Sequence, residues 1–235
     1  MLNFNDTNIA FKVKSNNDLK RAYWLFRIIG SPLIFKLGKF FMLVALKLRF
    51  PVSFIIKRTI FKQFCGGESI QECSPTIEIL GKYKVGTILD YSVEGKVEED
   101  DFDHTTKIII QTIEKASQEK NIPFAVFKIT GISKFSLLEK ASIDINKLTN
   151  DEAIELNKVK NRIDSICSAA KNKNVPVFID AEETWVQDII DQWAFDMMLL
   201  YNKEKCIVYN TIQMYRHDRL FFLEECLKKA KKSNL

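Results

Sequence analysis

The sequence predicts an α/β fold with a parallel sheet, because four short apolar runs alternate with segments of helical length. The runs are rich in β-branched and aromatic residues, which is typical of parallel strands buried on both faces; they span residues 86–91, 124–128, 175–180 and 206–211. Alternation of this kind implies right-handed crossovers. It does not distinguish an open sheet from part of a barrel, but the first run lacks a following G-x-G-x-x-G, which argues against a dinucleotide fold.

The segment before the first run is predicted to be helical. Residues 17–64 form the main helical stretch, which is capped by Asn16 or Asn17 with Asp18 and broken at Gly30-Ser31-Pro32 and at Pro51. A further helix is expected from Ile70 to Leu80, with Gly81 as its stop. We therefore expect an N-terminal helical region over residues 1–84 and an α/β region over residues 85–235.

Helices are also predicted after each strand. The acidic cluster from Glu98 to Asp103 lies just before the first of them, where negative charge suits a helix start. Thr149 with Glu152 has the spacing of a capping box. The expected helices are Thr105–Lys120, Lys134–Lys140, Thr149–Lys173, Trp185–Ala194 and Tyr215–Lys232.

Composition narrows the class of protein. Hydrophobic residues make up 46% and charged residues 28%, as in a globular chain, and the net charge of +5 is too mild and scattered to predict a nucleic-acid partner. Five cysteines without a C-x-x-C pair, together with two histidines, predict reduced thiols in a reducing compartment and no metal site.

The targeting signals are sparse. The N-terminus lacks the charged start and apolar core of a secretory signal, so we expect a cytoplasmic protein. The apolar segment from Leu33 to Phe50 is interrupted by Lys36, Lys39 and Lys47, each costing about 2.5–3.5 kcal/mol at a bilayer centre. A buried or interfacial helix is the better interpretation, and peripheral contact with the inner membrane stays open.

Polar residues follow the apolar runs at the positions where parallel barrels carry their catalytic groups. Asp90, Lys128 and Asp180 close the first three runs, and Gln213 lies just beyond the fourth. A charged Lys128 would anchor a carboxylate, a neutral Lys128 would form a Schiff base, and a solvent-facing lysine is the structural alternative. Asp180 would orient Lys128 through a charge-assisted hydrogen bond or cap the next helix.

Two further candidates are weaker when taken singly. Gln213 has an amide that both donates and accepts, as contact with the edge of a heterocycle requires, but surface exposure explains it equally well. Asp90 and Glu94 share a face only if the turn between them is helical.

Taken in order, these segments resemble the proline dehydrogenase family. The motifs are Leu89-Asp90-Tyr91-Ser92-Val93-Glu94, Phe127-Lys128-Ile129-Thr130, Ile179-Asp180-Ala181-Glu182-Glu183-Thr184 and Asn210-Thr211-Ile212-Gln213-Met214-Tyr215. The resemblance spans residue 64 to the C-terminus, and its D-A-E-E and T-x-Q-x-Y elements are the most specific.

The resemblance implies a flavoenzyme on a distorted (β/α)8 TIM-type barrel, of which this chain would carry the first four β-α units preceded by N-terminal helices. It implies oxidation of L-proline to 1-pyrroline-5-carboxylate, with hydride transfer to FAD and reduction of a quinone-type acceptor. By position, Lys128 would bind the proline carboxylate, and Asp90 and Glu94 would line the substrate pocket. The remaining roles fall near the flavin: Asp180 would hold Lys128 and the flavin, which Ala181, Ile212 and Gln213 would contact.

The chain also departs from the family pattern. The motifs K-L-V-R-G-A-Y and Y-x-x-R-R-x-x-E-N are absent, and Arg216 and Arg219, three residues apart in another unit, do not replace the paired arginines expected beside Glu94. We therefore expect the N-terminal half of such an enzyme, truncated or split and inactive alone, which needs a complementary C-terminal half or self-association.

Two alternatives stay open. One is a non-catalytic remnant or interaction module whose flavin site has decayed. The other is a Schiff-base lyase that uses Lys128. The sequence also leaves open whether proline or hydroxyproline is the substrate.

Overall fold

The computed structural model describes residues 5–91, 95 and 98–233. The chain divides into two compact units, Met1–Val85 and Gly86–Leu235. Glu94, one of the predicted substrate residues, lies outside the described residues.

The first unit is helical. Its elements are α1 (Thr7–Ala10), α2 (Asn16–Ile29), α3 (Pro32–Lys47), α4 (Ser53–Ile56), a π-helical turn (Lys57–Phe61), α5 (Lys62–Phe64) and α6 (Ile70–Lys82). The predicted breaks at residues 30–32 and at Pro51 are confirmed. The predicted cap of α2 is wrong: Ser15 caps it, in a capping box with Asp18. Gly81 does not stop α6, which continues to Lys82.

The second unit contains a four-stranded parallel sheet, as predicted. Its strands are β1 (Ile88–Leu89), β2 (Phe124–Phe127), β3 (Val177–Ile179) and β4 (Val208–Asn210). Each is shorter than the apolar run that predicts it. The strands pair in sequence order, β1-β2-β3-β4, with Phe127 opposite Ile179 and Ile179 opposite Asn210. The ends of β2, β3 and β4 therefore lie side by side.

Helices follow the strands. They are α7 (Glu99–Gln118), a 3₁₀ turn (Ile129–Gly131), α8 (Phe135–Asp144), a second 3₁₀ turn (Ile145–Lys147), α9 (Asn150–Lys173), α10 (Thr184–Tyr201) and α11 (Arg219–Lys232). The capping box of Thr149 and Glu152 is confirmed. The predicted first residues of two helices are wrong. Acidic residues from Glu99 onward form the first turn of α7 instead of preceding it, and α11 begins at Arg219 because the chain turns after Gln213.

The two faces of the sheet differ in burial. Because side chains alternate along a strand, Ala125, Phe127, Val177 and Ile179 point one way, and all four are buried. β2 contacts α7, and β4 contacts α10. The other face carries the half-buried rings of Phe124, Phe178 and Tyr209, of which Phe124 and Phe178 stack with centroids 4.7 Å apart.

Within the described ranges, no single helix is both long and apolar enough to cross a membrane. The pair α2 and α3 passes the length and composition test together, but the two helices meet at a bend of 95°.

Candidate active site

Lys128 and Asp180 form an ion pair at the ends of neighbouring strands. Each residue directly follows its strand, β2 or β3, so the strand pairing brings the two side chains together. Lys128 Nζ donates to Asp180 Oδ2 over 2.7 Å. Both side chains are partly exposed, so the pair faces solvent on one side.

The surroundings of Lys128 keep it charged. Partial burial alone would lower the pKa of the ammonium, but the hydrogen bond to Asp180 and the negative charges of Asp180, Glu182 and Asp90 outweigh burial and raise that pKa. Lys128 is therefore a cation at neutral pH. This favours an anion-binding role and argues against the alternative of a neutral, Schiff-base-forming amine.

The second carboxylate oxygen of Asp180 holds the neighbouring loops. Oδ1 accepts hydrogen bonds from the backbone N–H of Ala181 at 3.1 Å and from the Thr211 hydroxyl at 3.3 Å. Asp180 does not cap α10, whose N-cap residue is Glu183. The alternative of a purely capping Asp180 is therefore wrong, and the orienting hydrogen bond to Lys128 is present.

Glu182 is a buried carboxylate that the sequence did not single out. Its Oε1 accepts the backbone N–H of Thr130 at 3.0 Å, and its Oε2 accepts the Thr130 hydroxyl. Burial raises the pKa of Glu182, against the opposing effect of the hydrogen bonds from Thr130. Its position in the D-A-E-E motif was the sequence feature that could have identified Glu182 as a site residue.

Gln213 lies across the cleft edge from the β3 loop. Its Nε2 donates to the backbone carbonyl of Glu182 at 3.0 Å. Since a carbonyl oxygen only accepts hydrogen bonds, the amide atom of Gln213 that faces Glu182 must be the nitrogen. The amide oxygen Oε1 therefore remains available to accept a hydrogen bond from another group. Ala181 and Ile212 are half-buried beside these contacts.

These loops border a cleft of about 610 Å³. Lys128, Glu182 and Gln213 line it, and so do the exposed rings of Trp185 and Tyr215. The volume lies within the range of about 300–1,000 Å³ that is typical of small-molecule sites. Asp180, Ala181 and Ile212 do not line the cleft. Asp180 is linked to it by its hydrogen bond to Lys128.

Asp90 acts on Lys128 through its charge. It directly follows β1 and is exposed, and its charge contributes to raising the pKa of Lys128. Arg216 and Arg219 are both bonded to Asp218, and Arg219 also to Asp191. Both guanidinium groups are thus paired with carboxylates at or near the start of α11 and on α10.

No group of three or more His, Cys, Asp or Glu in the described part of the chain could hold a metal ion.

A family model for proline dehydrogenase matches residues 73–235. The chain belongs to the proline dehydrogenase family. The resemblance inferred from the four strand-end motifs is confirmed, and the match includes the whole of the Lys128 cleft.

Among the relatives, proline dehydrogenase 1, mitochondrial, of Dictyostelium discoideum is 29% identical over 89% of this chain and 43% of its own length. The carbapenem antibiotics biosynthesis protein CarD of Pectobacterium carotovorum subsp. carotovorum is 30% identical over 73% and 45%. The probable mitochondrial proline dehydrogenase of Schizosaccharomyces pombe is 26% identical over 94% and 56%. This proline dehydrogenase family chain thus spans about half the length of the curated relatives it matches.

The fold is also similar to that of a solved structure, proline utilization A from Bdellovibrio bacteriovorus inactivated by N-propargylglycine. The TM-score is 0.62 at 17% identity, over 97% of this chain and 24% of the other. At that identity the likeness establishes the α/β fold of this family member.

Proposed function

We propose that this chain supplies the Lys128 half of a proline dehydrogenase site, in which L-proline is oxidised to 1-pyrroline-5-carboxylate. The observation that carries the proposal is the Lys128 ammonium at a strand end, bonded to Asp180 and facing the cleft. An ammonium has three N–H donors, and Asp180 takes one of them. The others remain to bind the carboxylate of an amino acid.

FAD fits the donor set and shape of the cleft. Trp185 and Tyr215 present exposed rings suited to stacking on a flat ring system, and Gln213 offers Oε1 to an N–H group. In this proposal Gln213 contacts the isoalloxazine directly, and Asp180, Ala181 and Ile212, which do not line the cleft, belong to the loops that carry its lining residues. When bound, FAD supplies the acceptor for the hydride that leaves the substrate.

The chain's own residues orient the substrate. Oxidation removes a hydride from C5, the ring carbon beside the nitrogen that does not bear the carboxylate, and a proton from the nitrogen, and a C=N bond forms between these two atoms. Lys128 fixes the carboxylate, and Asp180 keeps the ammonium charged and directed. The substrate-pocket roles of Asp90 and Glu94 stay an expectation from the family resemblance. Orientation of this kind is the main contribution of a protein to flavin-dependent hydride transfer.

We further propose that the sheet is the first half of a (β/α)8 barrel. Sequential strand order with right-handed crossovers puts every helix on one face, whereas a doubly wound sheet needs a reversal of order. The half-buried aromatic face with Phe124, Phe178 and Tyr209 then becomes the barrel interior. Within the described residues β1 and β4 have free edges, which a complementary C-terminal half or a second copy would pair.

The first unit supports a peripheral membrane contact. Residues 19–67 carry ten Lys or Arg and no Asp or Glu, and many of their apolar side chains are exposed. A basic, apolar surface of this composition suits a bilayer that contains anionic lipids. A membrane location would place the flavin near a lipid-soluble quinone, the proposed final electron acceptor.

The test of the function uses the purified 235-residue chain. Size-exclusion chromatography separates monomer from associated forms, and each is mixed with FAD and then, without oxygen, with L-proline. We expect FAD to co-elute with the associated form and its visible band to bleach with proline. A chain that elutes free of flavin in every form, and leaves added FAD oxidised, would overturn the proposal and favour the interaction-module alternative.

A further inference from the structure

A chain of buried polar side chains lies behind the cleft, on α10. Gln187 and Asp191 are 1% and 6% exposed and lie one helical turn apart. Gln187 Nε2 donates to Asp191 Oδ1 over 2.8 Å. Buried polar groups lower stability unless their hydrogen bonds are made, so a buried pair of this kind must have defined partners on both sides.

The partner on the cleft side is Glu182. Gln187 Oε1 accepts the Glu182 backbone N–H over 2.7 Å. Glu182 then contacts both flanking loops: its carboxylate holds Thr130 after β2, and its carbonyl holds Gln213 after β4. A single residue, fixed by Gln187, therefore ties together the loops that follow three adjacent strands.

The partners on the far side are Asn210 and Arg219. Asp191 Oδ1 also accepts from Asn210 Nδ2 at 2.9 Å, and Oδ2 accepts from Arg219 Nη1 at 2.6 Å. Arg219 is 6% exposed and opens α11. The carboxylate of Asp191 thus joins the end of β4 and the start of α11 to the base of the cleft.

We propose that Gln187 and Asp191 are positioning residues: by fixing Glu182 they set Thr130 in place and turn Gln213 so that Oε1 is the atom it offers in the cleft. A molecule bound beside Gln213 must then present a hydrogen-bond donor, such as the N–H of a heterocycle. The statement that this atom faces a flavin rests on the function proposed above. The statement that Gln187 and Asp191 position Thr130 does not depend on that function.

The test is residue-resolved amide hydrogen exchange in Gln187→Met, which keeps the size of the side chain and removes both hydrogen bonds. Losing the acceptor frees Glu182, so we expect exchange to become about tenfold faster at the Glu182 and Thr130 amides. Thr130 does not touch Gln187, and faster exchange there reports transmission through Glu182. Unchanged exchange at Thr130 would overturn the inference.

Tyr201→Phe is the matched control. Tyr201 ends α10, at the end of the helix opposite to Gln187, and its hydroxyl donates to Asp164 Oδ1 of α9 over 2.6 Å. We expect the control to lower thermal stability and to leave exchange at the Thr130 amide unchanged. If exchange at Thr130 became equally faster in both variants, the effect of Gln187→Met would reflect a general loss of stability and not positioning. Asp191→Asn, which keeps shape but loses the charge facing Arg219, is the second variant and should accelerate the same two amides less.

Binding of FAD gives a separate readout. Gln187→Met should weaken FAD binding about tenfold, and Tyr201→Phe should leave the dissociation constant of FAD unchanged. If the unmodified chain binds no FAD while Thr130 exchange responds to Gln187→Met, the proposed function fails and the positioning network stands. If FAD binds and neither Thr130 exchange nor FAD affinity responds to Gln187→Met, the network fails and the function stands.

Discussion

The two units of the chain differ in where their apolar side chains lie. In the second unit, both sheet and helices contribute to a core with fully buried residues such as Phe102, Phe127 and Ile190. In the first unit, Leu25 and Ile77 are the buried apolar residues among those described, and no residue of α3 is buried. A helix that exposes as many apolar side chains as α3 is typical of a surface that a partner covers.

The difference shows which unit buries a hydrophobic core of its own. The candidate site stands on a core that the second unit supplies, and its polar side chains are largely paired within the same unit. Residues 19–67 of the first unit instead carry ten Lys or Arg, no Asp or Glu, and many exposed apolar side chains. We therefore expect the first unit to act through contact with a partner and the second unit through chemistry.

Separating the units should give the largest effect. Because the core lies in the second unit, we expect residues 86–235 alone to unfold in a cooperative urea transition, and residues 1–85 alone to show none. Circular dichroism along a urea gradient measures both. A cooperative transition in the first segment, or none in the second, would break the comparison.

Removing charge from the first unit should weaken its proposed binding to anionic vesicles. Each lysine near an anionic surface contributes about 1 kcal/mol, so Lys36→Gln, Lys39→Gln and Lys47→Gln together should weaken binding about 100-fold. Co-sedimentation with phosphatidylserine-containing vesicles measures it. The matched control is Lys229→Gln with Lys231→Gln and Lys232→Gln in α11, which should change vesicle affinity little. Equal losses of affinity in the two triple variants would show that net charge alone causes the effect.

Breaking the buried ion pair of the second unit should destabilise it. Asp191 and Arg219 side chains are each 7% exposed, so Asp191→Ala leaves a buried guanidinium poorly paired and should lower the free energy of unfolding by about 3–5 kcal/mol. Lys171→Ala, which removes a largely exposed pair with Glu204, should cost almost nothing. Urea denaturation at neutral pH compares the two, and similar losses would contradict the expectation.

The smallest effects are pH dependences of opposite sign. Hydrogen bonds from Ser15 and Arg21 lower the pKa of Asp18 from 3.8 to about 2, so its contribution to stability is present above 3.8 and lost as pH falls towards 2. Burial raises the pKa of Glu182, so its folded state holds a proton longer and stability declines as pH rises above 4.5. Carboxyl-carbon NMR titration measures both; shifts of the same sign would contradict this contrast.

The sequence predicted the parallel sheet and the residues at its strand ends, because apolar runs and strand topology together determine where Asp90, Lys128 and Asp180 must lie. It also predicted the family, from motifs that follow those strands. The partial barrel stays a prediction, and so do the substrate and flavin roles of all the site residues: Asp90, Glu94, Lys128, Asp180, Ala181, Ile212 and Gln213.

The supporting network was not predicted. Gln187 and Asp191 look like ordinary polar helix residues, and only their spacing of four beside apolar Val186 and Ile190 hinted at burial. The start of α11 was also missed, since local propensity does not reveal that Arg219 turns inward to Asp191. Tertiary contacts of this kind join segments distant in sequence, which periodicity does not detect.

The role of Lys128 as a carboxylate anchor is tested most directly by comparing L-proline with L-prolinamide, which lacks the carboxylate. Perturbation of the bound flavin spectrum gives the affinity for each in the unmodified chain and in Lys128→Met, with Lys134→Met as control because Lys134 pairs with Glu155 and does not line the cleft. A charge-assisted hydrogen bond predicts that Lys128→Met loses about 10- to 100-fold in affinity for proline and nothing for prolinamide. Equal affinity for proline in both proteins, or equal losses for the two ligands, would contradict that role.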